Sequence, residues 1–140
     1  MIAPADMAEI HKAAFAQARP WSAEEFASLL DQQFCHVAGD ADCFALFRVI
    51  ADEAELLTIA TRPKSQRQGR ARACMLLWHD RARALGATQA FLDVAADNHP
   101  ALALYSACGY VRSGTRTGYY PRPDGTTCDA ILMSRDLSQG

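Results

Sequence analysis

The sequence predicts a single α/β domain over residues 1–140, and three observations support this class. Segments with helical and strand periodicity follow the order helix, helix, three strands, helix, strand, helix and two strands. A length of 140 residues suits one domain with one sizeable core. Half of the residues are hydrophobic and 21% are charged, which is typical of a globular chain and not of a disordered one.

The first thirty residues predict two short helices. Asp6 is followed three residues later by Glu9, which is the spacing of a capping box, and an apolar stripe lies behind it. In the stretch "PWSAEEF", Ser22 can cap a second helix and Glu25 can reach back to it. Trp21 and Phe26 then occupy the two positions of a hydrophobic staple.

The strands are predicted from β-rich runs bounded by turn residues. A hairpin is expected for "FCHVAG" and "CFALFRVIA", which a Gly-Asp-Ala-Asp turn separates. Two buried strands are expected for "AELLTIAT" and "TQAFLDVA", which are apolar on both faces as central strands are. The last two strands are "YVRSGTRTGYY" and "TTCDAILMSRDL", joined by the Pro and Asp-Gly residues of "PRPDG".

Two further helices are predicted between the strands. The first begins within "SQRQGRARACMLLWHDRARALG" and ends at Gly86. Its apolar positions have helical spacing: Ala71, Cys74, Met75, Trp78, Ala82 and Leu85. The second begins at Asn98 and Pro100, carries Tyr105 and ends at Gly109.

Charge and cysteine content exclude several classes of protein. A net charge of −2 argues against a nucleic-acid partner bound through bulk charge, although a local basic patch is present at Arg62, Lys64, Arg67, Arg70 and Arg72. No bilayer-spanning run and no signal segment are recognisable, so we expect a cytoplasmic protein without a membrane partner. Five cysteines without a C-x-x-C pair predict reduced thiols, mostly in the core, and four scattered histidines predict no metal site.

The loop ahead of the third helix has the features of a phosphate-binding site. The first helical N–H groups have no internal partner, and the helix dipole is positive there. Gly69 lets the backbone approach an anion closely, because a Cβ would stand in the way. The loop fits neither a Walker sequence nor a Rossmann fingerprint. The pattern therefore leaves open a phosphate site or a plain connection with solvated arginines.

The stretch "QRQGRA", with Ala71 at its second small position, resembles the Q/R-x-x-G-x-G/A acetyl-CoA-binding signature of the GNAT N-acetyltransferases. The strand "LLTIAT" precedes it and "LDVAADNHPALALYSACGY" follows at the expected distance, so the resemblance covers roughly residues 20 to 135. It implies a mixed sheet with helices on both faces, splayed open between "AELLTIAT" and "TQAFLDVA" to form the cofactor slot. With no strand ahead of the first helix, we expect the family's first edge strand to be missing.

A narrower resemblance is to the RimI-type ribosomal-protein-alanine N-acetyltransferases. The segments "PWSAEEFAS", "DEAELLTIA", "ADNHPALALYSACGY" and "GYYPRPDG…DAILM" are similar to that subgroup. The resemblance implies direct acetyl transfer from acetyl-CoA to a protein N-terminal amine, with no covalent acyl-enzyme and no metal. It implies the N-terminal alanine of a small-subunit ribosomal protein as acceptor, and we expect a monomer or a weak homodimer.

The resemblance also implies roles for individual residues. Asp93 falls on the subgroup's glutamate base, Tyr105 on its tyrosine acid and Asn98 on its coenzyme-contacting asparagine. Tyr119 and Tyr120 fall near the entry of the acceptor peptide. Contacts to pantetheine are implied for the backbone of Ile59, Ala60 and Thr61, and contacts to the pyrophosphate for Arg67, Gln68, Gly69, Arg70, Ala71 and Arg72.

Each of these residues also has a purely structural interpretation. Asp93 could accept backbone hydrogen bonds at a sheet opening, Asn98 could only cap a helix, and Tyr105 could only fill the core. Asp93 is also one methylene shorter than the family's glutamate, so without a relaying water Glu53 or Glu55 becomes a candidate base. The alternative functions are acetylation of a small amine or a lysine side chain, and a weakly catalytic acyl-CoA-binding module.

Overall fold

The computed structural model describes residues 2–14, 21–66 and 68–138, in which helices and strands follow the predicted order. The helices are α1 (Pro4–Ala14), α2 (Ala23–Leu30), α3 (Arg70–Ala84) and α4 (His99–Ala107). The strands are β1 (Cys35–Gly39), β2 (Cys43–Ile50), β3 (Glu53–Thr61), β4 (Gln89–Ala95), β5 (Val111–Pro121) and β6 (Thr127–Asp136). A short 3₁₀ turn, Pro63–Ser65, lies between β3 and α3.

The strands form one mixed sheet in the order β1-β2-β3-β4-β6-β5. Strands β3 and β4 run parallel, and the other neighbouring pairs run antiparallel. The parallel pairing extends only from Glu53↔Gln89 to Glu55↔Phe91, although β3 has 9 residues and β4 has 7. Beyond Glu55 the two strands separate, which confirms the predicted splay.

A separate hydrophobic cluster covers each face of the sheet. On one face, Trp78 of α3 packs with Phe47 of β2 and the buried side of β4. On the other face, Phe26 of α2 packs edge to face on Phe44 of β2, with their ring centroids 5.7 Å apart. Because the side chains of β2 alternate between the clusters, this strand is buried on both sides. Full burial of each such side chain contributes about 1.5–3 kcal/mol.

The predicted start of α1 is wrong by three residues, because a cap at Asp6 would begin the helix at Met7. The helix begins at Pro4, so Asp6 lies in its first turn and does not cap it. Proline suits the first position of a helix, because the missing N–H has no intrahelical partner there and the ring presets φ. Asp6 instead places its negative charge near the positive end of the helix dipole.

The predicted start of α2 is confirmed in detail. The hydroxyl of Ser22 accepts a hydrogen bond from the N–H of Glu25, and the Glu25 carboxylate accepts one from the N–H of Ser22, both at 3.1 Å. The rings of Trp21 and Phe26 lie 5.5 Å apart across this turn, as a hydrophobic staple requires.

Replacing Ser22 with Ala is expected to lower the free energy of unfolding by about 1 kcal/mol, because the capping acceptor is lost. Urea denaturation measures the change. Ser138→Ala is the matched control, since that exposed hydroxyl donates only to the nearby Asp136 carboxylate. Equal losses in the two variants would contradict the assignment of a stabilising cap to Ser22.

Most of the cysteines lie in the core, as predicted. All five cysteines are free, and Cys35, Cys43, Cys74 and Cys108 are buried. Within the three described stretches, no group of three or more His, Cys, Asp or Glu side chains is arranged to hold a metal ion. In the same residues, no helix is both long enough and apolar enough to cross a membrane.

Candidate active site

A cavity of about 540 Å³ opens where β3 and β4 separate, and we call it the interstrand cavity. Its walls are residues 56–59 of β3 and residues 93–95 of β4. The N-cap and the last turn of α4 contribute Asn98 and Tyr105, and the end of β5 contributes Tyr120. Ala14 of α1 also lines it, so the cavity gathers residues from five elements of the chain.

The C-terminal part of β3 has one edge without a neighbouring strand. Ile59, Ala60 and Thr61 pair with β2 on one side, at Ala45, Phe44 and Cys43 respectively. On the other side, the pairing with β4 has already ended at Glu55. Backbone N–H and C=O groups on such an edge can pair with an extended ligand. Of the three predicted residues, Ile59 lines the interstrand cavity and the other two continue the same edge.

Asp93 stands between two cavities. The second one, here the sheet-face cavity, has a volume of about 470 Å³ and is lined by Glu53, Glu55, Phe91 and Arg116, among others. Among the described residues, Asp93 is the one that lines both cavities. It alternates along β4 with the buried Leu92 and Val94, so its side chain points away from the cluster beneath α3.

The surroundings of Asp93 make it a stronger base than an exposed aspartate. Burial raises the pKa of its carboxyl, and the Glu55 charge adds to the rise while the Arg116 guanidinium opposes it. Within the described chain its carboxylate accepts no hydrogen bond, so it is not held by backbone donors in the way that the structural interpretation requires. The two alternative bases, Glu53 and Glu55, line the sheet-face cavity alone, and Glu55 is paired with Arg48 across the β2–β3 ladder.

Tyr105 is buried at the wall of the interstrand cavity. It is 7% exposed, and its ring packs edge to face on that of Tyr110. Burial, with smaller effects of Tyr120 and Cys108, raises the pKa of its hydroxyl well above the ordinary value. The hydroxyl therefore stays protonated throughout the neutral range. It has no hydrogen-bond partner among the described residues, which leaves its proton available to a ligand.

Asn98 both caps α4 and lines the interstrand cavity. Its Oδ1 accepts a hydrogen bond from the N–H of Ala101 at 3.3 Å, which confirms the predicted cap. The two hydrogens on its Nδ2 take no part in that cap, so they can donate to a ligand amide.

The glycine loop lies beyond the end of β3 and does not line the interstrand cavity. Gly69 begins α3 with φ +75°, and a Cβ added there would meet nothing within 4 Å. The left-handed backbone therefore favours glycine by itself, and the space beside it is open. Gln68, Arg70 and Arg72 are exposed and Ala71 is half-buried, while Arg67 lies outside the described residues. Arg70 is paired with Asp42 at 3.6 Å.

The two predicted acceptor-binding tyrosines contact each other, with ring centroids 5.1 Å apart, but differ in their surroundings. Tyr120 lines the interstrand cavity, and burial together with the Asp93 charge raises its pKa to about 12. Tyr119 is 47% exposed, with the Arg116 guanidinium 5.1 Å from its ring centroid. Neighbouring residues of a strand face opposite sides of the sheet, which accounts for this difference. A bulge between Arg116 and Tyr120 in β5 is held by a hydrogen bond from the Gly118 N–H to Asp129.

Two charged features of the site were missed from the sequence. Arg116 is the cation whose charge acts on both Asp93 and Tyr120. Strand periodicity could not have indicated it, because the bulge between Arg116 and Tyr120 interrupts the alternation of side chains. Arg122 donates to Asp97 at 2.6 Å at the rim of the interstrand cavity. These two residues are far apart in the chain, and no local pattern links them.

Comparison with known proteins agrees with this architecture. Residues 6–110 match the model of the acetyltransferase (GNAT) family. The [ribosomal protein bS18]-alanine N-acetyltransferase of Escherichia coli K12 is 37% identical over 127 residues, which cover 88% of this chain and 85% of that protein. The enzyme of the same name from Salmonella typhimurium is 36% identical over 129 residues, with the same coverage.

Solved structures agree as well. The ribosomal-protein-S18-alanine N-acetyltransferase of E. coli superimposes with a TM-score of 0.85 at 33% identity, covering 98% of this chain and 89% of that one. Arabidopsis thaliana NAA60 in complex with acetyl-CoA has a TM-score of 0.81 at 17% identity, covering 98% of this chain and 96% of that one. At this identity the similarity supports the fold and nothing beyond it. The chain therefore belongs to the GNAT family and is an acetyl-CoA-dependent N-acetyltransferase.

Proposed function

We propose that this enzyme acetylates a protein N-terminal amine, and that its acceptor is the N-terminal alanine of a small-subunit ribosomal protein. The observation that carries the proposal is the position of Asp93, where the interstrand cavity and the sheet-face cavity meet. A donor in the first cavity and an acceptor entering from the second would meet at this carboxylate. The names of relatives that are 36–37% identical over most of the chain support the choice of acceptor.

The residues around the interstrand cavity fit acetyl-CoA, which supplies an activated acetyl thioester. The free edge of β3 at Ile59–Thr61 would pair with the amides of the pantetheine arm, and Asn98 would donate to one of them. Backbone N–H groups on this edge would also polarise the thioester carbonyl. The open N-terminus of α3, beside Gly69 and the arginines, would hold the pyrophosphate.

Asp93 would act as the general base. An α-amine has an unperturbed pKa of about 8, so most of it is protonated at neutral pH and cannot attack. Asp93 would accept its proton, through a water where the shorter aspartate side chain does not reach. The carboxylate is suited to this role because it forms no ion pair with any described residue and its pKa is raised by burial.

Tyr105 would act as the general acid on the opposite side of the reacting carbon. As the new N–C bond forms and the C–S bond breaks, its hydroxyl would donate a proton to the departing thiolate. Tyr120 and Tyr119 would contact the acceptor chain, Tyr120 within the interstrand cavity and Tyr119 at the surface.

Gly69 provides a test of the pyrophosphate contact. Gly69→Ala is expected to cost about 1 kcal/mol of stability, because alanine disfavours a φ of +75°. Gly69→Asn is expected to cost less, since asparagine tolerates this conformation. Both variants add a Cβ that would obstruct a closely bound anion, so both are expected to raise the KM for acetyl-CoA about tenfold, which corresponds to 1.4 kcal/mol. A wild-type KM in the stable Asn variant would contradict close approach of the pyrophosphate.

The proposed function is tested by coenzyme A release with matched peptides. The first peptide begins with a free alanine amine, the second has that amine blocked by acetylation, and the third is blocked but carries an internal lysine. Release with the first alone is the expected result. Equal release with the third would show a lysine acetyltransferase. Spermidine is assayed beside the peptides as a small amine, and release with it alone would show a small-amine acetyltransferase. No release with any amine would favour the acyl-CoA-binding module.

A further inference from the structure

A buried chain of polar contacts connects α3 and β6 to the end of α4. His79 of α3 is completely buried, and its Nε2 lies 2.7 Å from the hydroxyl oxygen of Tyr110. Its Nδ1 lies 3.2 Å from Nη1 of Arg135 in β6. Because a guanidinium can only donate, Nδ1 accepts, and Nε2 therefore carries the proton and donates to Tyr110. Burial, aided by the charges of Arg135 and Arg83, lowers the His79 pKa to about 3, so the imidazole stays neutral.

Tyr110 caps the C-terminus of α4 through a backbone hydrogen bond to Tyr105. Its N–H donates to the Tyr105 carbonyl at 3.0 Å, and the N–H of Gly109 donates to the Ser106 carbonyl at 3.1 Å. With Gly109 at φ +90°, this pattern is a Schellman motif, in which the side chains at the positions of Tyr105 and Tyr110 commonly touch. Their rings do so, with a centroid separation of 6.0 Å. Tyr110 therefore holds both the backbone and the ring of Tyr105.

Arg135 fixes this cap from the sheet. Its backbone pairs with Ala90 of β4, in the centre of the sheet. Its side chain lies along the turn, since a Cβ added at Gly109 would stand 3.4 Å from the Arg135 Nε. The imidazole of His79 thus lies between a side chain rooted in the sheet and the hydroxyl of Tyr110.

We propose that His79 and Tyr110 are positioning residues for acetyl transfer, which hold the Tyr105 side chain against the interstrand cavity. The inference rests on the proposed role of Tyr105 as proton donor. Tyr105 lies in the last turn of α4, and the ends of helices fray unless they are anchored. A reacting group that moves by about 1 Å can lose about 10²-fold in rate, so the anchor acts on the rate of the chemical step.

The test is a double-mutant cycle between Tyr110 and Tyr105. Tyr110→Phe removes the hydroxyl but keeps the ring contact and the backbone cap. We expect kcat to fall on the order of tenfold while the KM for acetyl-CoA stays unchanged. In the Tyr105→Phe background the same substitution is expected to cause no further loss, because the group that it positions is already gone. His79→Leu should behave as Tyr110→Phe does, and His79→Gln, which can place an amide donor near the position of Nε2, should recover most of the rate.

Arg81→Ala is the control, because it removes a 2.7 Å hydrogen bond from α3 to the Val37 carbonyl and leaves the His79–Tyr110 contact intact. Its kcat is expected to match that of the wild type. Equal losses from Tyr110→Phe in both backgrounds, or an unchanged kcat in Tyr110→Phe, would overturn the inference while leaving the role of Tyr105 in place. A wild-type rate in Tyr105→Phe alone would overturn that role, and the inference with it.

Discussion

Replacing Asp93 with Asn is expected to lower kcat/KM for an N-terminal peptide by about 10²- to 10⁴-fold, which is the range typical of general acid–base catalysis. Asparagine keeps the size of the side chain but cannot accept the proton of the amine. The KM for acetyl-CoA is expected to stay within about twofold, because Asp93 is assigned to no cofactor contact. Steady-state kinetics of coenzyme A release measure both quantities. A loss of less than tenfold would contradict the role of Asp93 as base.

The pH profile gives this substitution an independent signature. Because the raised pKa of Asp93 lies above the ordinary value of about 3.9, the rate is expected to fall as the pH drops through that raised pKa. The Asn variant is expected to lack this acid limb. Asp93→Glu introduces the glutamate that the RimI-type subgroup has at this position. This variant is expected to keep the acid limb and to react at least as fast as the wild type.

Stability should change in the opposite direction to activity. A carboxyl whose pKa is raised in the folded state contributes stability below its unfolded pKa and loses that contribution as the pH rises through the folded value. Ionised Asp93 therefore destabilises the fold at pH 7, and Asp93→Asn is expected to raise the Tm there. Asp136→Asn is the control of opposite sign, because hydrogen bonds from Ser138 lower the pKa of Asp136. A lower Tm for Asp93→Asn at pH 7 would contradict the account.

Replacing Tyr105 with Phe is expected to lower kcat by about 10²-fold, because the leaving thiolate loses its proton donor. The phenyl ring keeps the contact with Tyr110, so the Tm and the KM for acetyl-CoA are expected to change little. Burial raises the Tyr105 pKa, so this residue should add no alkaline limb below pH 10 in the wild-type profile. Steady-state kinetics and thermal unfolding together measure these effects. A wild-type kcat would contradict the assignment of Tyr105 as the acid.

Features that depend on neighbouring residues were predictable from the sequence. The capping box of Ser22 and Glu25 and the cap at Asn98 are each satisfied within three residues, so their spacing alone was sufficient. The helix end at Gly109 likewise depends on local backbone geometry. The spacing at Asp6 failed because Pro4, which the pattern did not weigh, starts the helix earlier.

Features that depend on distant pairing were not predictable from local pattern. The splay was implied by the family resemblance, since nothing in β3 or β4 alone shows that their pairing stops at Glu55. Asp93 meets both cavities because β4 pairs with β6, at Leu132, on one side and parts from β3 on the other. The bulge between Arg116 and Tyr120 shifts the register of β5 against β6. Register and bulges are set by packing between strands that are far apart in the sequence.

The most direct test of the central claim is the intact mass of ribosomal proteins after reaction. The purified enzyme would be incubated with acetyl-CoA and unacetylated ribosomal proteins from its own host, with Asp93→Asn as the inactive control. The account predicts one added acetyl group on a single small-subunit protein, which fragmentation places on an N-terminal alanine. Acetyl groups on many lysines, or on no ribosomal protein at all, would contradict the proposed acceptor.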